Sequence, residues 1–112
     1  NKDSFMLNEK GLGSLFKQAQ ELQSKMAEAQ GELAQKSVEA SVGGGMVKIT
    51  ANGLNQILSV KIDDELIGMK DREVLEDLIV AAVNDINRKV KDLSQSEMSK
   101  LTGGMKIPGL FT

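Results

Sequence analysis

Between residues 12 and 36, apolar side chains recur at alternating steps of three and four residues. This spacing lines them along one narrow stripe of an α-helix, as in the seam of a coiled coil. The stripe consists of Leu12, Leu15, Ala19, Leu22, Met26, Ala29 and Leu33. Polar residues fill nearly every other position, so the stripe needs a second helix to cover it. The pattern predicts a long N-terminal helix over 12–36 with a helix-packing or dimer seam through Leu15, Leu22, Met26 and Leu33.

After residue 36 the hydrophobic period changes to two, which is typical of strands with one buried face. Three segments show this alternation, over 37–43, 46–52 and 57–63. Three consecutive glycines separate the first two, and Asn52-Gly53 follows the second; both residues of that pair tolerate positive φ, which favours a tight turn. Ile57 is out of phase with Leu58, which indicates a bulge. We expect a three-stranded antiparallel meander with one apolar face.

A second long helix is predicted over 71–101, with Asp71 as its N-cap. Its apolar stripe is broad through Val83 and narrower afterwards, so the first half should cover the sheet and the second half should project past it. The fold class is α+β, in a single domain over 11–112 with a tail at 102–112. Residues 1–10 lack periodicity, and we expect them to be a disordered N-terminal segment.

The predicted core is thin, because the chain has three Phe and neither Trp nor Tyr. Small domains bury a modest share of their surface and are marginally stable alone. The first helix and the open edges of a three-stranded sheet would also remain uncovered in a monomer. A two-fold dimer, in which each chain covers what the other exposes, is the simplest solution.

Composition limits the chemistry that the chain can perform. It has neither His nor Cys, so nucleophile–base pairs built on them and thiolate metal sites are excluded. The acidic cluster Asp63–Glu65 lacks the spacing of a calcium loop, and the acids at 73–77 suit the positive end of a helix. No apolar run reaches membrane-spanning length. We therefore expect a cytoplasmic, non-enzymatic protein with no catalytic residues, no metal, no cofactor and no membrane partner.

The basic residues are distributed unevenly. The net charge of −2 argues against a nucleic-acid binder, yet residues 88–112 carry five basic and two acidic groups, whereas 71–87 carry one and five. The helix dipole accounts for this polarity, and so does a cationic patch for an anionic partner. No aromatic residues are interleaved, so contacts would be to phosphates rather than bases. The candidate phosphate contacts are Lys17, Lys25, Arg88, Lys89, Lys91 and Lys100.

An ordered set of motifs runs through most of the chain. It comprises KQAQ at 17–20, GGGMVKIT at 43–50, Asn52-Gly53, VKID at 60–63, LEDLIVAAVND at 75–85, MSKLTGG at 98–104 and IPGLF at 107–111. In this order the set resembles the YbaB/EbfC family of bacterial nucleoid-associated proteins. No single piece is specific, but the succession is.

The resemblance implies a homodimer with protruding, tweezer-like helical arms that hold double-stranded DNA with limited sequence preference. It also implies a location in the nucleoid, with roles in chromosome organisation and in gene regulation or recombinational repair. It does not transfer individual binding residues, because the family has no fixed binding motif. One alternative stays open: a dimeric module that docks a replication or repair protein through its helical seam.

Overall fold

The computed structural model describes residues 2–101, with side chains from Gly11 onward. It contains six elements: α1 (Lys2–Gln35), β1 (Ser37–Val42), β2 (Val47–Asn52), β3 (Ile57–Ile62), α2 (Asp64–Gly68) and α3 (Arg72–Leu101). The molecule is elongated, measuring 79 × 24 × 19 Å along its principal axes. The predicted α+β order of a long helix, three strands and a second long helix is confirmed. The predicted tail at 102–112 lies outside the described residues.

The three strands form an antiparallel sheet in the order β1-β2-β3. Ile49 on β2 pairs with Ala40 on β1 and with Val60 on β3, which places these three side chains on one face. The register between β2 and β3 shifts at Thr50/Ala51. This shift is the bulge that the phase change at Ile57 predicted, since an extra residue in one strand changes which side chains oppose each other.

Helix α3 packs across β1 and β2 on the apolar face of the sheet. Ala82, Ile86 and Val90 follow one another at four-residue steps along a single helical stripe, and all three are buried. They meet the buried strand residues Ala40, Val47, Ile49 and Ala51, together with Leu66 of α2. The Asp71 carboxylate accepts a hydrogen bond from the Val74 amide at 3.3 Å, which confirms Asp71 as the cap of α3.

The β3 side of the apolar face is less well covered. The register places Ile57 opposite Ala51 and Val60 opposite Ile49, on the face that α3 occupies. Both side chains nevertheless remain 52 % exposed. One chain therefore covers about half of its own sheet and leaves an apolar surface on an edge strand.

Helix α1 begins at Lys2, ten residues before the start that the seam predicts, and it ends at Gln35. Residues 2–10, which we expected to lie outside the fold, are therefore helical. The segment is rich in strong helix formers such as Lys, Met, Leu and Glu, whereas Gly11 and Gly13 each cost only about 1 kcal/mol relative to alanine. Helical propensity without apolar periodicity explains why the pattern placed the start too late.

The Asn52-Gly53 pair attaches the β2–β3 loop to the end of α1. The loop between β2 and β3 spans four residues, and its positive φ falls at Asn55, not at Asn52 or Gly53. Asn52 is buried, and its Oδ1 accepts hydrogen bonds from the amides of Leu54 and Gln56, both at 3.0 Å. Its Nδ2 donates to Gln56 Oε1 at 2.6 Å and to the Ala34 carbonyl at 3.4 Å. Asn52 thus ties the loop to the end of α1.

Gly53 completes this junction through its backbone. Its amide donates to the carbonyls of Leu33 at 2.7 Å and Lys36 at 3.1 Å, which caps free acceptors at the C-terminus of α1. A Cβ at position 53 would lie 2.6 Å from Leu33 Cδ2 and 2.7 Å from Leu33 O. Only glycine permits this approach, so the direction in which α1 leaves the sheet depends on Gly53.

We expect Gly53→Ala to destabilise the protein by about 1–3 kcal/mol, because α1 must move away from the loop to admit the new methyl group. Urea denaturation at a fixed protein concentration measures this change. Gly31→Ala is the matched control: a Cβ there meets nothing within 4 Å, and the substitution should stabilise α1 by about 1 kcal/mol. Equal stability of the Gly53 variant and the wild type would contradict the junction.

Candidate nucleic-acid interface

Much of α1 extends away from the other elements described between residues 37 and 101. Every residue from 12 to 28 is exposed, whereas Ala29 and Leu33 are buried where the helix meets the sheet and α3. At 1.5 Å per residue, the part of α1 before Ala29 forms a rod about 40 Å long. We call this part, residues 2–28, the arm.

Among the residues that the structure describes, the heptad seam is covered only where α1 meets the sheet and α3. Leu33 is buried, but Leu22 and Met26 are 49 % and 41 % exposed, and Leu15 is more exposed still. The predicted seam thus divides into an internal part at Ala29 and Leu33 and an outer part that no described residue covers. The structure contains one chain, so the predicted dimer remains a prediction.

A buried carboxylate connects α1 to α3 where the arm begins. The side chain of Glu97 on α3 is 3 % exposed, and its Oε1 forms an ion pair with Lys36 Nζ, just beyond the end of α1. Lys100 Nζ lies 3.6 Å from the same oxygen. A buried carboxylate is stable only when cations and hydrogen-bond donors compensate its lost hydration. Glu97 therefore holds the two helices together through charge.

This pairing changes the acidity of both partners. The hydrogen bond from Lys36 lowers the pKa of Glu97 below its ordinary value, and burial opposes that effect. Glu32 and Lys100 also favour the ionised Glu97. Reciprocally, the hydrogen bond to Glu97 raises the pKa of Lys36. Both groups are thus charged throughout the neutral range.

Glu97 and Lys36 were not among the predicted site residues, although the sequence contained a signal for them. The α1 seam continues by steps of four and three from Ala29 to Leu33 and then to Lys36. In α3, Glu97 lies seven residues after Val90, on the same stripe. The α1 stripe therefore ends on a cation and the α3 stripe ends on an anion, at the point where the two helices meet.

A cleft of about 310 Å³ opens beside this ion pair, between α1 and α3. Its walls include two of the predicted phosphate contacts, Lys25 from the arm and Lys100 from α3. The remaining lining residues are Glu28, Ala29, Glu32, Glu97 and Leu101. The structure therefore brings Lys25 and Lys100 to one site, where carboxylates accompany them.

Arg88 and Lys89 both turn toward a carboxylate. Asp85, one helical turn earlier on α3, forms an ion pair with Arg88, and its Oδ2 lies 3.3 Å from Lys89 Nζ. Lys89 also donates to the backbone carbonyl of Glu39 on β1 at 2.7 Å. These two cations have local partners, and Lys89 links α3 to the edge of the sheet.

Lys17 and Lys91 are the last two of the six predicted phosphate contacts. Both are exposed, and neither forms an ion pair with any side chain described between 11 and 101, which is also true of Lys25. The six predicted cations thus fall into an unpaired group and a paired group. The unpaired group is Lys17, Lys25 and Lys91, and the paired group is Arg88, Lys89 and Lys100.

We expect Glu97→Gln to lower the melting temperature at pH 7, because Lys36 loses its anionic partner. The folded-state pKa of Glu97 is below the ordinary 4.5, so the charge stabilises the fold above pH 4.5 and this stabilisation disappears as the pH falls through the lower value. The difference in melting temperature between wild type and variant should therefore shrink in acid. Above neutrality it should persist, because the pKa of Lys36 is raised above 10.5.

Glu76→Gln, at an exposed position on α3, is the matched control and should produce a small change at every pH. Melting curves from pH 7 to pH 3 measure both variants. A difference for Glu97→Gln that stays constant over that range would contradict the charged pair.

None of the helices described within residues 2–101 has the length and apolar character needed to cross a membrane.

Comparison with known proteins identifies the family. The YbaB/EbfC DNA-binding family matches residues 9–105. A nucleoid-associated protein of Thermoanaerobacter sp. is 48 % identical over 100 residues, covering 89 % of this chain and 90 % of its own. A nucleoid-associated protein of Syntrophobacter fumaroxidans is 53 % identical over 95 residues, covering 85 % of this chain and 86 % of its own.

A solved structure has the same fold. The crystal structure of an uncharacterized protein from Helicobacter pylori superposes with a TM-score of 0.70 at 24 % identity, covering 82 % of this chain and 94 % of that one. The resemblance that the ordered motifs suggested is confirmed by the family match and by relatives that span nearly the whole chain. The chain belongs to the YbaB/EbfC family of nucleoid-associated DNA-binding proteins.

Proposed function

We propose that this chain forms a homodimeric, non-enzymatic nucleoid protein that binds duplex DNA mainly through phosphate contacts. The observation that carries the proposal is the arm, which is exposed from residue 12 to residue 28 and whose Lys17 and Lys25 form no ion pair with any side chain described between 11 and 101. Lysine side chains of this kind neutralise phosphates without reading bases, which suits binding with little sequence preference. Its relatives are named nucleoid-associated proteins, and we infer a location in the nucleoid and a role in chromosome organisation.

The two groups of cations should contribute unequally. Lys17, Lys25 and Lys91 can meet a phosphate without giving up a partner. Arg88 and Lys89 must first exchange the Asp85 carboxylate for a phosphate, which reduces the net gain. We therefore assign the main phosphate contacts to the unpaired group.

The net negative charge is compatible with this assignment because acids and bases are separated along α3. Glu73 lies in the first turn of α3, and Lys91, the α3 member of the unpaired group, lies well along the helix. At 1.5 Å per residue these positions are about 27 Å apart along the helix axis. That distance exceeds the Debye length of about 8 Å at physiological salt, so the acids near Glu73 have little effect on a phosphate near Lys91.

The triple variant Lys17→Gln/Lys25→Gln/Lys91→Gln tests the DNA-binding proposal. We expect weaker binding to duplexes of every sequence, with the slope of log affinity against log salt reduced by about 0.9 per lost contact. Arg88→Gln/Lys89→Gln should have the smaller effect per residue. Fluorescence anisotropy on a labelled duplex at several salt concentrations measures both. A wild-type protein that does not bind duplex DNA would overturn the proposed function.

The predicted dimer has a candidate surface in the half-covered sheet face at β3. Burying apolar side chains such as Val60 stabilises an association by about 25 cal/mol per Å². We expect Val60→Glu to shift the sedimentation coefficient toward that of a monomer, because the carboxylate would be desolvated in the interface. Ser41→Glu, on the opposite face, is the control and should leave the mass unchanged. A wild-type protein that sediments as a monomer at micromolar concentration would remove the dimer from the proposal.

A second candidate function rests on the outer seam. Leu22 and Met26 are about half exposed on the arm and could dock a replication or repair protein. In Leu22→Gln/Met26→Gln, dissociation of the dimer would assign the outer seam to self-association. If the mass and the DNA affinity both stay unchanged, the outer seam serves neither self-association nor DNA binding. That result would favour docking of another protein.

A further inference from the structure

The sheet has a second face, opposite α3, on which the side chains are polar. The strand register and the alternation of side chains assign Glu39 and Ser41 of β1, Lys48 and Thr50 of β2, and Ser59 and Lys61 of β3 to this outer face. The face is thus made of hydroxyls, two lysines and one carboxylate. Neither Lys48 nor Lys61 was among the candidate phosphate contacts drawn from the sequence.

The two lysines occupy directly opposing positions. Lys48 pairs with Lys61 across β2 and β3, and on its other side Lys48 pairs with Ser41 of β1. Like charges at opposing positions of an antiparallel pair destabilise a sheet, and an acidic partner would be the stabilising choice. No ion pair reaches either lysine from the side chains described between 11 and 101.

A hydroxyl lies beside this pair of cations. Lys48 Cε and Ser41 Oγ are 3.6 and 3.9 Å from the position that a Cβ would take at Gly45. The lysine stem and the serine hydroxyl are therefore neighbours at the glycine turn. Ammonium groups combined with serine hydroxyls are the side chains that contact phosphate oxygens in protein–DNA interfaces.

The nearby carboxylates form no ion pair with this row among the side chains described between 11 and 101. Glu39 belongs to the next row of the face, where it pairs with Thr50. Asp63 follows Lys61 by two residues, and its Oδ1 accepts the Glu65 amide at 2.9 Å and caps α2. Lys48 and Lys61 therefore face each other without a directly bonded acid between them.

We propose that Lys48, Lys61 and Ser41 form a phosphate-binding row for the backbone of duplex DNA, separate from the arm. This inference rests on the proposed function and adds a contact surface to it. DNA suits the row because its backbone presents closely spaced phosphates that can neutralise both ammonium groups. The row has neither the aromatic side chains that stack on single-stranded bases nor the apolar anchors of protein interfaces.

The double variant Lys48→Gln/Lys61→Gln tests the row with a labelled duplex and fluorescence anisotropy. Two lost phosphate contacts should reduce the slope of log affinity against log salt by about 1.8 for each chain whose row contacts the duplex. Between 50 and 200 mM salt the wild type should therefore lose about tenfold more affinity than the variant for each contacting chain. A slope equal to that of the wild type would overturn the proposed row.

Lys70→Gln/Arg72→Gln is the matched control, because it removes the same charge from the end of the α2–α3 connection and the first residue of α3. Its slope should stay close to that of the wild type. If both double variants reduced the slope equally, net charge and not the row would govern binding, and the inference would be wrong. Absence of DNA binding by the wild type would instead overturn the proposed function, so the two failures are distinguishable.

The melting temperature distinguishes a DNA-binding role of the lysines from a structural role, because the two roles predict changes of opposite sign. The single variant Lys61→Gln should melt at a slightly higher temperature than the wild type, because it relieves the repulsion from Lys48, while its DNA-binding slope falls by about 0.9 for each contacting chain. A lower melting temperature with unchanged DNA binding would show that the lysines stabilise the sheet and would overturn the row. The single variants also carry the test if the double variant fails to fold.

Discussion

The contact between Gly53 and the end of α1 determines the shape of the whole molecule. The Gly53 amide donates hydrogen bonds to the Leu33 carbonyl in the last turn of α1 and to the Lys36 carbonyl just beyond it, and the absence of a Cβ brings the loop against Leu33. The Glu97–Lys36 pair then joins the same end of α1 to α3. These two attachments hold the C-terminal end of α1 against the β2–β3 loop and against α3. The arm can therefore extend without packing on the sheet.

Along each helix, buried apolar positions are separated from exposed or charged positions. In α3, apolar burial at Ala82, Ile86 and Val90 gives way to the charged contacts of Glu97. In α1, burial ends at Ala29, and beyond it the lysines at 17 and 25 have no ion pair with a described side chain. A protein of small size and thin core can present cations far from its core only by placing them on elements that extend away from it.

The hydrophobic period predicted correctly the elements that pack within one chain, which are the strands and α3. Their buried side chains recur with the period of the element, as Val47 and Ile49 do on β2 and as the stripe through Ile86 does on α3. The role of Gly53 was not predictable from local turn preference, because it arises from contact with Leu33 twenty residues earlier. The pairing of Arg88 with Asp85 follows from helical spacing, whereas the contact of Lys89 with the Glu39 carbonyl requires knowledge of the packing of α3 on β1.

The hydrogen bond from Lys89 to Glu39 also limits how copies of this chain could join. β1 and β3 are the two outer strands of the sheet, and the lysine occupies a backbone acceptor on the β1 side. An outer strand with free backbone groups invites further strands, and a lysine placed there discourages them. If two sheets joined through their β3 strands, both outer strands of the joined sheet would be β1, where Lys89 already bonds the Glu39 carbonyl. Such growth would stop at two copies instead of continuing into a fibre.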